Sequence, residues 1–521
     1  MTTILKKPRA GPLGRAILFC MGLALLVGCA MLPQPTPSRY VGDPGPLGGC
    51  AGFFADLDRR VQIGQVMDPG AFRVPSYPYL RVNRFLASFG REIQDRDAFE
   101  AWVDRMQELD QAGRRWEIAN LLDGQAADDE TVAAIHQKAV ACGNILRSAD
   151  FSDQRRRQRL QEWIAAPDDY LTLRRALGFY GVTRWIVSRG VADWHAAARR
   201  QFSLEAPQGW RSIRYLPPEK AGVPEPAKIV SRARRDALGI PHYAPVERET
   251  LLQFHAPVWE VETTGSYDRL GSPYWSEQGV LAVDTQQPVV YTLISYTRFG
   301  SEILTQLNYI IWFGARPKES SLDIYGGRLD GVDFRVTLDA TGAVLLYETI
   351  HNCGCYYKAY PTGRLTVRKT IRYAEPPLIF KAPQSDPSRQ FIHVAMESRT
   401  HYVQHLYTTG RQRPPATATY NLHDYEELRG LAHPPKGSRS MFAEDGIVNG
   451  SQRLERLILW PMGVLSPGAM RQYGRHAVAF VGRRHFDDPE YLQEMFRRSE
   501  TTQNREVQPR GGNGTGSDPY H

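Results

Sequence analysis

Phe334-Arg-Val-Thr-Leu338, Asp339-Ala-Thr-Gly342 and Val344-Leu-Leu-Tyr-Glu-Thr-Ile350 are the segments that decide the fold. Phe334, Val336 and Leu338 alternate with polar residues, and Val344, Leu346, Glu348 and Ile350 continue the alternation beyond a four-residue turn. Successive side chains of a strand point to opposite faces, so this spacing predicts an antiparallel hairpin. Upstream, Val289–Tyr296 and Leu304–Phe313 are rich in β-branched and aromatic residues. Downstream, Arg364–Tyr373 and Phe391–Tyr407 read as further strands. Residues 246–410 are therefore expected to form a mainly antiparallel sheet in which consecutive strands pair.

The period differs on the N-terminal side. Phe99, Trp102, Val103, Met106 and Leu109 recur at three- and four-residue steps, and Asp128 and Asp129 precede a second stripe of Val132, Ile135, Ala139 and Cys142. Arginine-rich helices are expected from Asp153 to Phe202, with Leu160, Trp163, Ile164, Leu173, Leu177, Trp185 and Trp194 as their core side chains. Arg155, Arg156, Arg157 and Arg159 read as a solvated helix face, with contact to anionic headgroups as the alternative. The fold class is α+β: a helical domain at 52–205, an irregular linker at 206–245, the antiparallel domain at 246–410 and a mixed extension at 411–498. In the extension, Ala477–Val481 reads as a strand and Pro489–Arg498 as a helix. Residues 499–521 are polar and glycine-rich, and disorder is expected there.

The first 28 residues carry Lys6, Lys7, Arg9 and Arg15 and no acid, followed by an apolar run from Ala16 to Val27. A bilayer-spanning helix needs about 20 apolar residues, so this run is too short and reads as a secretory signal. Leu26, Val27, Gly28 and Cys29 are similar to the bacterial lipobox, which implies cleavage before Cys29 and a diacylglycerol on its sulfur. Several acyl chains make such an anchor stable. Proline and glycine are dense after Cys29, and residues 29–51 read as an extended tether. Ala30 follows the cysteine, which by analogy with enteric lipoproteins places the protein in the cell envelope, at the outer membrane facing the periplasm.

Without residues 1–28 the formal charge falls from +8 to +4. That is mild for the chain's size and gives no basis for nucleic-acid binding. Cys50, Cys142, Cys353 and Cys355 remain in an oxidising compartment. Cys50 is expected to pair with Cys142, which leaves Cys353 with Cys355 across the single Gly354.

Three stretches carry candidate chemistry. Thr349–Tyr357 reads T-I-H-N-C-G-C-Y-Y. His351, Cys353 and Cys355 alternate, so on an extended chain they would share a face and suit zinc or copper. A disulfide beside a hydrogen-bonded histidine, or a reactive thiol, are the other readings. His393, Glu397, His401 and His405 recur every fourth residue. On a strand this spacing spreads four side chains over ~13 Å, so only one or two could join ligands from elsewhere. His401 and His405 are the candidates to complete a metal site with His351 and the cysteines, and Glu397 with His401 the candidates for catalysis. A polar sheet face is the bland alternative. Sharing a site requires the His351 ring to lie within ~8 Å of that of His401 or His405. The third stretch, Arg475, His476 and Arg483 to Asp488, reads as a salt-bridged surface turn whose Asp487 or Asp488 caps the following helix, with anion binding as the alternative. No G-x-S-x-G, H-E-x-x-H or G-x-x-x-x-G-K-[ST] motif is present.

Thr305, Ile310, Trp312, Phe313, Asp323, Tyr325, Gly326 and Gly327 lead to His351, Cys353 and Cys355, and Gly468–Gln472 leads to Arg484–Pro489. On these residues the chain resembles a family of uncharacterised proteobacterial lipoproteins. The resemblance implies a lipid-anchored protein and carries no catalytic residue across. Two activities stay open: a non-enzymatic lipoprotein that binds an envelope partner, and an envelope hydrolase, metal-dependent or built on a Cys/His site.

Overall fold

The hairpin at 334–350 places Phe334 opposite Thr349, Arg335 opposite Glu348 and Val336 opposite Tyr347. It lies at the centre of a nine-stranded sheet. The computed structural model describes residues 37–122, 129–219, 226–371, 373–412, 418–435 and 437–499. The stretch read as a signal, Cys29, and the tail beyond Ser499 lie outside the described residues.

Strands β1 (Phe72–Val74) and β2 (Tyr77–Val82) form a hairpin, and β3 (Ser212–Leu216) and β4 (Val258–Glu262) belong to a second sheet. The large sheet follows with β5 (Leu270–Trp275), β6 (Leu281–Asp284), β7 (Val289–Phe299), β8 (Glu302–Arg316), β9 (Gly327–Leu338), β10 (Val344–His351), β11 (Lys358–Pro361) and β12 (Leu378–Ile379). The run β7 to β11 is an antiparallel meander of consecutive strands. The second sheet is completed by β13 (Gln390–Met396), β14 (Val403–Gly410) and β15 (Ala418–Thr419), in the order β14-β13-β4-β3-β15. A further strand, β16 (Asn421–Asp424), adds in parallel to β7.

The two sheets face each other across one core. Leu307, Tyr309, Ile311, Phe334 and Val336 meet Trp259, Val394, Met396 and Leu406 there. The opposite face of the large sheet is also covered. Leu304, Leu346 and Ile350 pack on Phe486, Leu492 and Met495, while Ile310 and Trp312 pack on Met441, Phe442 and Met470. The polar positions of the central hairpin are consequently buried. Arg335 binds both oxygens of Glu348 at 2.7 Å, and Tyr357 donates to the same carboxylate at 2.8 Å.

The helical layer comprises α1 (Pro46–Gly64), α2 (Arg84–Ala87), α3 (Arg96–Leu121), α4 (Asp129–Phe151), α5 (Gln154–Trp163), α6 (Thr172–Leu177) and α7 (Tyr180–Gln201). The Cys50–Cys142 disulfide joins α1 to α4. Two expectations, the extent of the tether and the core of the later helices, are corrected here. Helix α1 begins at Pro46, inside the stretch read as tether, because proline fits the first turn of a helix. The polar side of α3 faces the β1–β2 hairpin, so Asp110, Arg114 and Glu117 are buried with Arg81 as an ionic network. Trp163, Leu173, Leu177 and Trp185 are exposed and do not join a core.

The linker supplies β3, whose register on β4 it could not announce from sequence. In the extension, Ala477 makes a single bridge to His485 in place of a strand, and the expected helix is only Tyr491–Met495 (α11 in chain order, after α8, Pro226–Arg232, α9, Pro245–Phe254, and α10, Arg456–Leu459). No helix among the described residues is long and apolar enough to cross a membrane.

Candidate functional site

Sheet register brings the central groups together. Phe313 on β8 lies opposite Asp330 on β9, and His351 at the end of β10 lies opposite Val332, two residues from Asp330. Residues two apart on a strand share a face, so Asp330 and His351 are diagonal neighbours on the side that meets the second sheet. His401 arrives from that sheet. Residues 393–405 do not form one strand: β13 ends at Met396, the chain turns through Ser398–Thr400, and β14 starts at Val403. His401 sits in this turn at φ +54°, with its ring stacked on Phe313 at 3.9 Å.

The result is a buried line of alternating acids and imidazoles. His401 Nδ1 is 2.8 Å from Asp330 Oδ2. His351 Nδ1 faces the other oxygen of Asp330 at 3.5 Å. On its far side, His401 Nε2 is 3.5 Å from Asp268 Oδ1. Both 3.5 Å contacts are electrostatic approaches rather than well-made hydrogen bonds. Asp268 closes a 3₁₀ turn ahead of β5 and accepts N–H bonds from Thr264 and Arg399 at 2.8 and 2.7 Å and the Ser398 hydroxyl at 2.8 Å. The rings of His351 and His401 thus share one carboxylate.

The charges on this line differ in cause. Burial pushes the Asp330 carboxyl up, but contacts with His351 and His401 outweigh it and hold it well below the usual range. Burial also works against the His401 imidazolium, yet Asp268 and Asp330 hold its pKa above the ordinary value. For His351 burial prevails and its pKa is lowered. Along the line, Asp330 is shifted toward its carboxylate, His401 toward its imidazolium and His351 toward its neutral form.

His351 leads to a cavity. Its ring meets the edges of Tyr356 and Tyr402 at 4.9 and 5.6 Å. Both tyrosines line a cavity of about 340 Å³ with Trp194, Arg316, Tyr325, Cys355 and Glu455. Helix α7 forms one wall through Val187, Val191 and Trp194. The Arg316 guanidinium lies 5.6, 5.9 and 5.2 Å from the ring centres of Tyr325, Tyr356 and Tyr402, distances of cation–π contact. Its hydrogen bonds go to the Tyr402 hydroxyl at 3.4 Å. Among the described residues, no carboxylate lies within 4 Å of Arg316. Burial raises Glu455 to about 7, against the pull of Arg453, Arg316 and Arg471. A larger, open groove of about 1320 Å³ runs past Phe254, Arg364, Phe380 and Arg411, but no acid–base line reaches it.

The sequence candidates are dispersed by this geometry. His351, Cys353 and Cys355 do not share a face, because the strand stops at His351. A turn closes there, with the Gly354 N–H donating to the His351 carbonyl at 2.7 Å and the His351 N–H to the Cys355 carbonyl at 3.1 Å. Cys353 enters the core beside Trp312 and Met470, whereas Cys355 lines the cavity. Both are free thiols and not the expected disulfide. The hydrogen bond with Cys353, followed by burial, holds the Cys355 thiol well above its ordinary pKa. His405 lies against Trp210 at 4.9 Å, and His393 against Tyr407 at 4.5 Å. Glu397 is bonded by the Thr400 hydroxyl and is not a partner of His401. Among the described residues, no group of three or more His, Cys, Asp or Glu side chains is arranged to hold a metal ion, and His351, Cys353, Cys355, His401 and His405 are not gathered into one.

Asp268, Asp330, Arg316 and Tyr402 escaped the sequence reading. A usable signal existed for Asp330 alone: an acid inside the strand run that leads from Gly327 to Leu338. The third stretch is salt-bridged and only partly at the surface: Arg483 is exposed and pairs with Asp168, His476, Arg484 and His485 are buried, Arg475 meets Asp169 at 2.9 Å, and Asp488 accepts the His485 N–H instead of capping α11. The chain matches no family model, no curated protein and no solved structure.

Proposed function

We propose that the protein is an envelope lipoprotein, acylated on Cys29 and held at the outer membrane, whose cavity beneath α7 binds a small amphiphilic carboxylate. The observation that carries this reading is Arg316: a guanidinium in an aromatic-walled cavity with no carboxylate within 4 Å among the described residues, its electrostatic neighbours Asp330 and Glu455 lying further away. A guanidinium offers a planar fork that matches a carboxylate. Trp194, Val187 and Val191 supply an apolar wall for the rest of the ligand. The volume falls at the small end of organic-ligand sites. Support for the anchor comes from the lipobox at Leu26–Cys29.

Calorimetric titration with decanoate tests the cavity. Arg316→Ala is expected to weaken binding at least tenfold, about 1.4 kcal/mol, and Arg316→Lys to restore only part of it. Equal affinity in wild type and Arg316→Ala would remove the reading. Labelled palmitate tests the anchor, with incorporation expected in wild type and lost in Cys29→Ser.

One observation favours a second reading, hydrolysis of an ester of such an acid. The Asp268–His401–Asp330–His351 line ends on tyrosines that face the cavity, which gives an acid–base relay a place to act. Turnover of p-nitrophenyl octanoate that collapses in His351→Gln, with decanoate affinity retained, would favour it over simple binding.

A further inference from the structure

Helix α7 is apolar on two opposite sides. Val187, Val191 and Trp194 face the cavity and Ala198 is buried. Phe179 at its N-cap, then Val182, Trp185 and Ile186, recur at three- and four-residue steps and point outward. These four are 77, 68, 68 and 74% exposed. Leu173 and Leu177 on α6 and Leu457 and Ile458 on α10 are exposed as well. The turn Trp460–Met462 packs against α6 and α7 and follows directly on α10, so the three helices are neighbours. Leu171–Ala192 contains Arg174, Arg175, Arg184 and Arg189 and no acid.

We propose that the outer face of α7 docks on the bilayer to which Cys29 would tether the protein, with Phe179, Val182, Trp185 and Ile186 entering the headgroup boundary of an anionic leaflet. This rests on the acylation reading given above. Exposed aromatic and aliphatic side chains on a helix that carries Arg184, Arg189, Arg199 and Arg200 against a single acid, Asp193, are the composition of an interfacial helix. Arg189, exposed on the same helix, complements anionic headgroups, whereas Arg175 is bonded to the Met462 and Gly482 carbonyls. An apolar patch of this kind is not a neutral feature of a solvated surface. The tether supplies the remaining argument. Tyr40 is already buried in the helical layer, and the residues between it and Cys29 can span at most ~40 Å. The folded body is thereby confined near the bilayer, and a patch of modest affinity works at high local concentration. Docking would also turn the α7 wall of the cavity toward the source of an amphiphilic ligand.

The test uses the full acylated protein reconstituted in phosphatidylcholine–phosphatidylglycerol vesicles with brominated acyl chains. Flotation reports the anchor, and quenching of tryptophan emission reports the helix, so the two can fail separately. Wild type is expected to float and to be quenched. Trp185→Tyr should float equally and lose the quenching due to one of the ten tryptophans. Val182→Ser with Ile186→Ser, both at exposed positions, should float with unchanged circular dichroism and reduced quenching. Replacing phosphatidylglycerol by phosphatidylcholine should weaken quenching without affecting flotation. Flotation with no quenching, or equal quenching in wild type and Trp185→Tyr, overturns the docking. So does the appearance of cross-linked dimers through α7 in place of quenching, which would make a second copy the occupant. Failure of wild type to float, with no palmitate label, overturns the anchor and the proposal with it.

Discussion

His401 adopts left-handed backbone, a conformation that a side chain with a Cβ occupies at a cost of order 1–3 kcal/mol. The surroundings that enforce it are Asp330, Asp268 and the Phe313 ring, the first and last from β9 and β8 of the large sheet and Asp268 from the 3₁₀ turn before β5. No feature of residues 393–405 announces this, because four-residue spacing is equally consistent with a strand face, a helix stripe or a turn. His485 is a second residue whose state is set by distant chain. Burial disfavours its imidazolium, but Asp168 and Asp488 outweigh burial and the opposing charge of Arg84, and raise it to about 9; Asp169 and Asp487 lie nearby. A histidine raised in the folded state contributes stability in full below its unfolded pKa of about 6.5 and loses it as pH rises through 9. The stability advantage of wild type over His485→Gln should therefore shrink between pH 6 and pH 9.5, by no more than roughly 3 kcal/mol. Urea midpoints of the two proteins at both pH values measure it. An advantage that grows with pH would show that the imidazole is neutral in the fold. The lowered pKa of Asp168 reflects the same pair and is not a second contribution.

At the scale of elements, the central hairpin was legible because two faces alternate through it, and a one-residue slip would exchange them. The turn that follows β10 was not. Asn352 to Cys355 look extended in sequence, yet they are pinned by backbone bonds and by Arg471, whose N–H reaches the Asn352 carbonyl and whose Nε reaches that of Cys353. Gly354 has φ +93°, and a Cβ there would stand 2.8 Å from the Ala477 carbonyl oxygen. Gly354→Ala should cost about 1–3 kcal/mol in urea unfolding, with the extension loosened against the sheet. No change in stability would show that the turn relaxes freely. Thiol chemistry separates the two cysteine pairs. Alkylation under denaturing, non-reducing conditions should label Cys353 and Cys355 and spare Cys50 and Cys142. The bridge of α1 to α4 closes a long loop, and on the chain-entropy model its removal costs about 4–5 kcal/mol. Protection of Cys353 and Cys355 from alkylation would show that they are oxidised.

Across the whole molecule, the helical layer and the C-terminal extension are joined through buried charge. Arg84 on α2 binds Asp169 at 2.6 Å, Asp487 at 3.1 Å and the Gly474 carbonyl at 2.8 Å. Removing one partner of a buried pair strands the others. Arg84→Ala should cost about 3–5 kcal/mol, and adding Asp487→Asn should recover part of the loss. Circular dichroism and tryptophan fluorescence followed through urea unfolding check it. Coincident transitions are expected in wild type, since the junction couples the two regions. Separate transitions in wild type would show that the helical layer unfolds independently.

What the sequence determined by itself is local. The strand periods of 334–350, the helical periods of 96–151, the pairing of Cys50 with Cys142, and the succession from helices to sheet all follow from neighbours within a few turns or from counting thiols. Tertiary structure decided everything that depends on a second surface. It covered the polar face of the hairpin, so that Arg335 and Glu348 are a buried pair and not a solvated one. It left Trp185 and Ile186 outside, because among the described residues no other element packs over that side of α7. It also assembled Asp268, Asp330, His351 and His401 from four separate segments. Amphipathic periodicity states that a residue has two sides; which side meets protein is settled only when the other elements arrive.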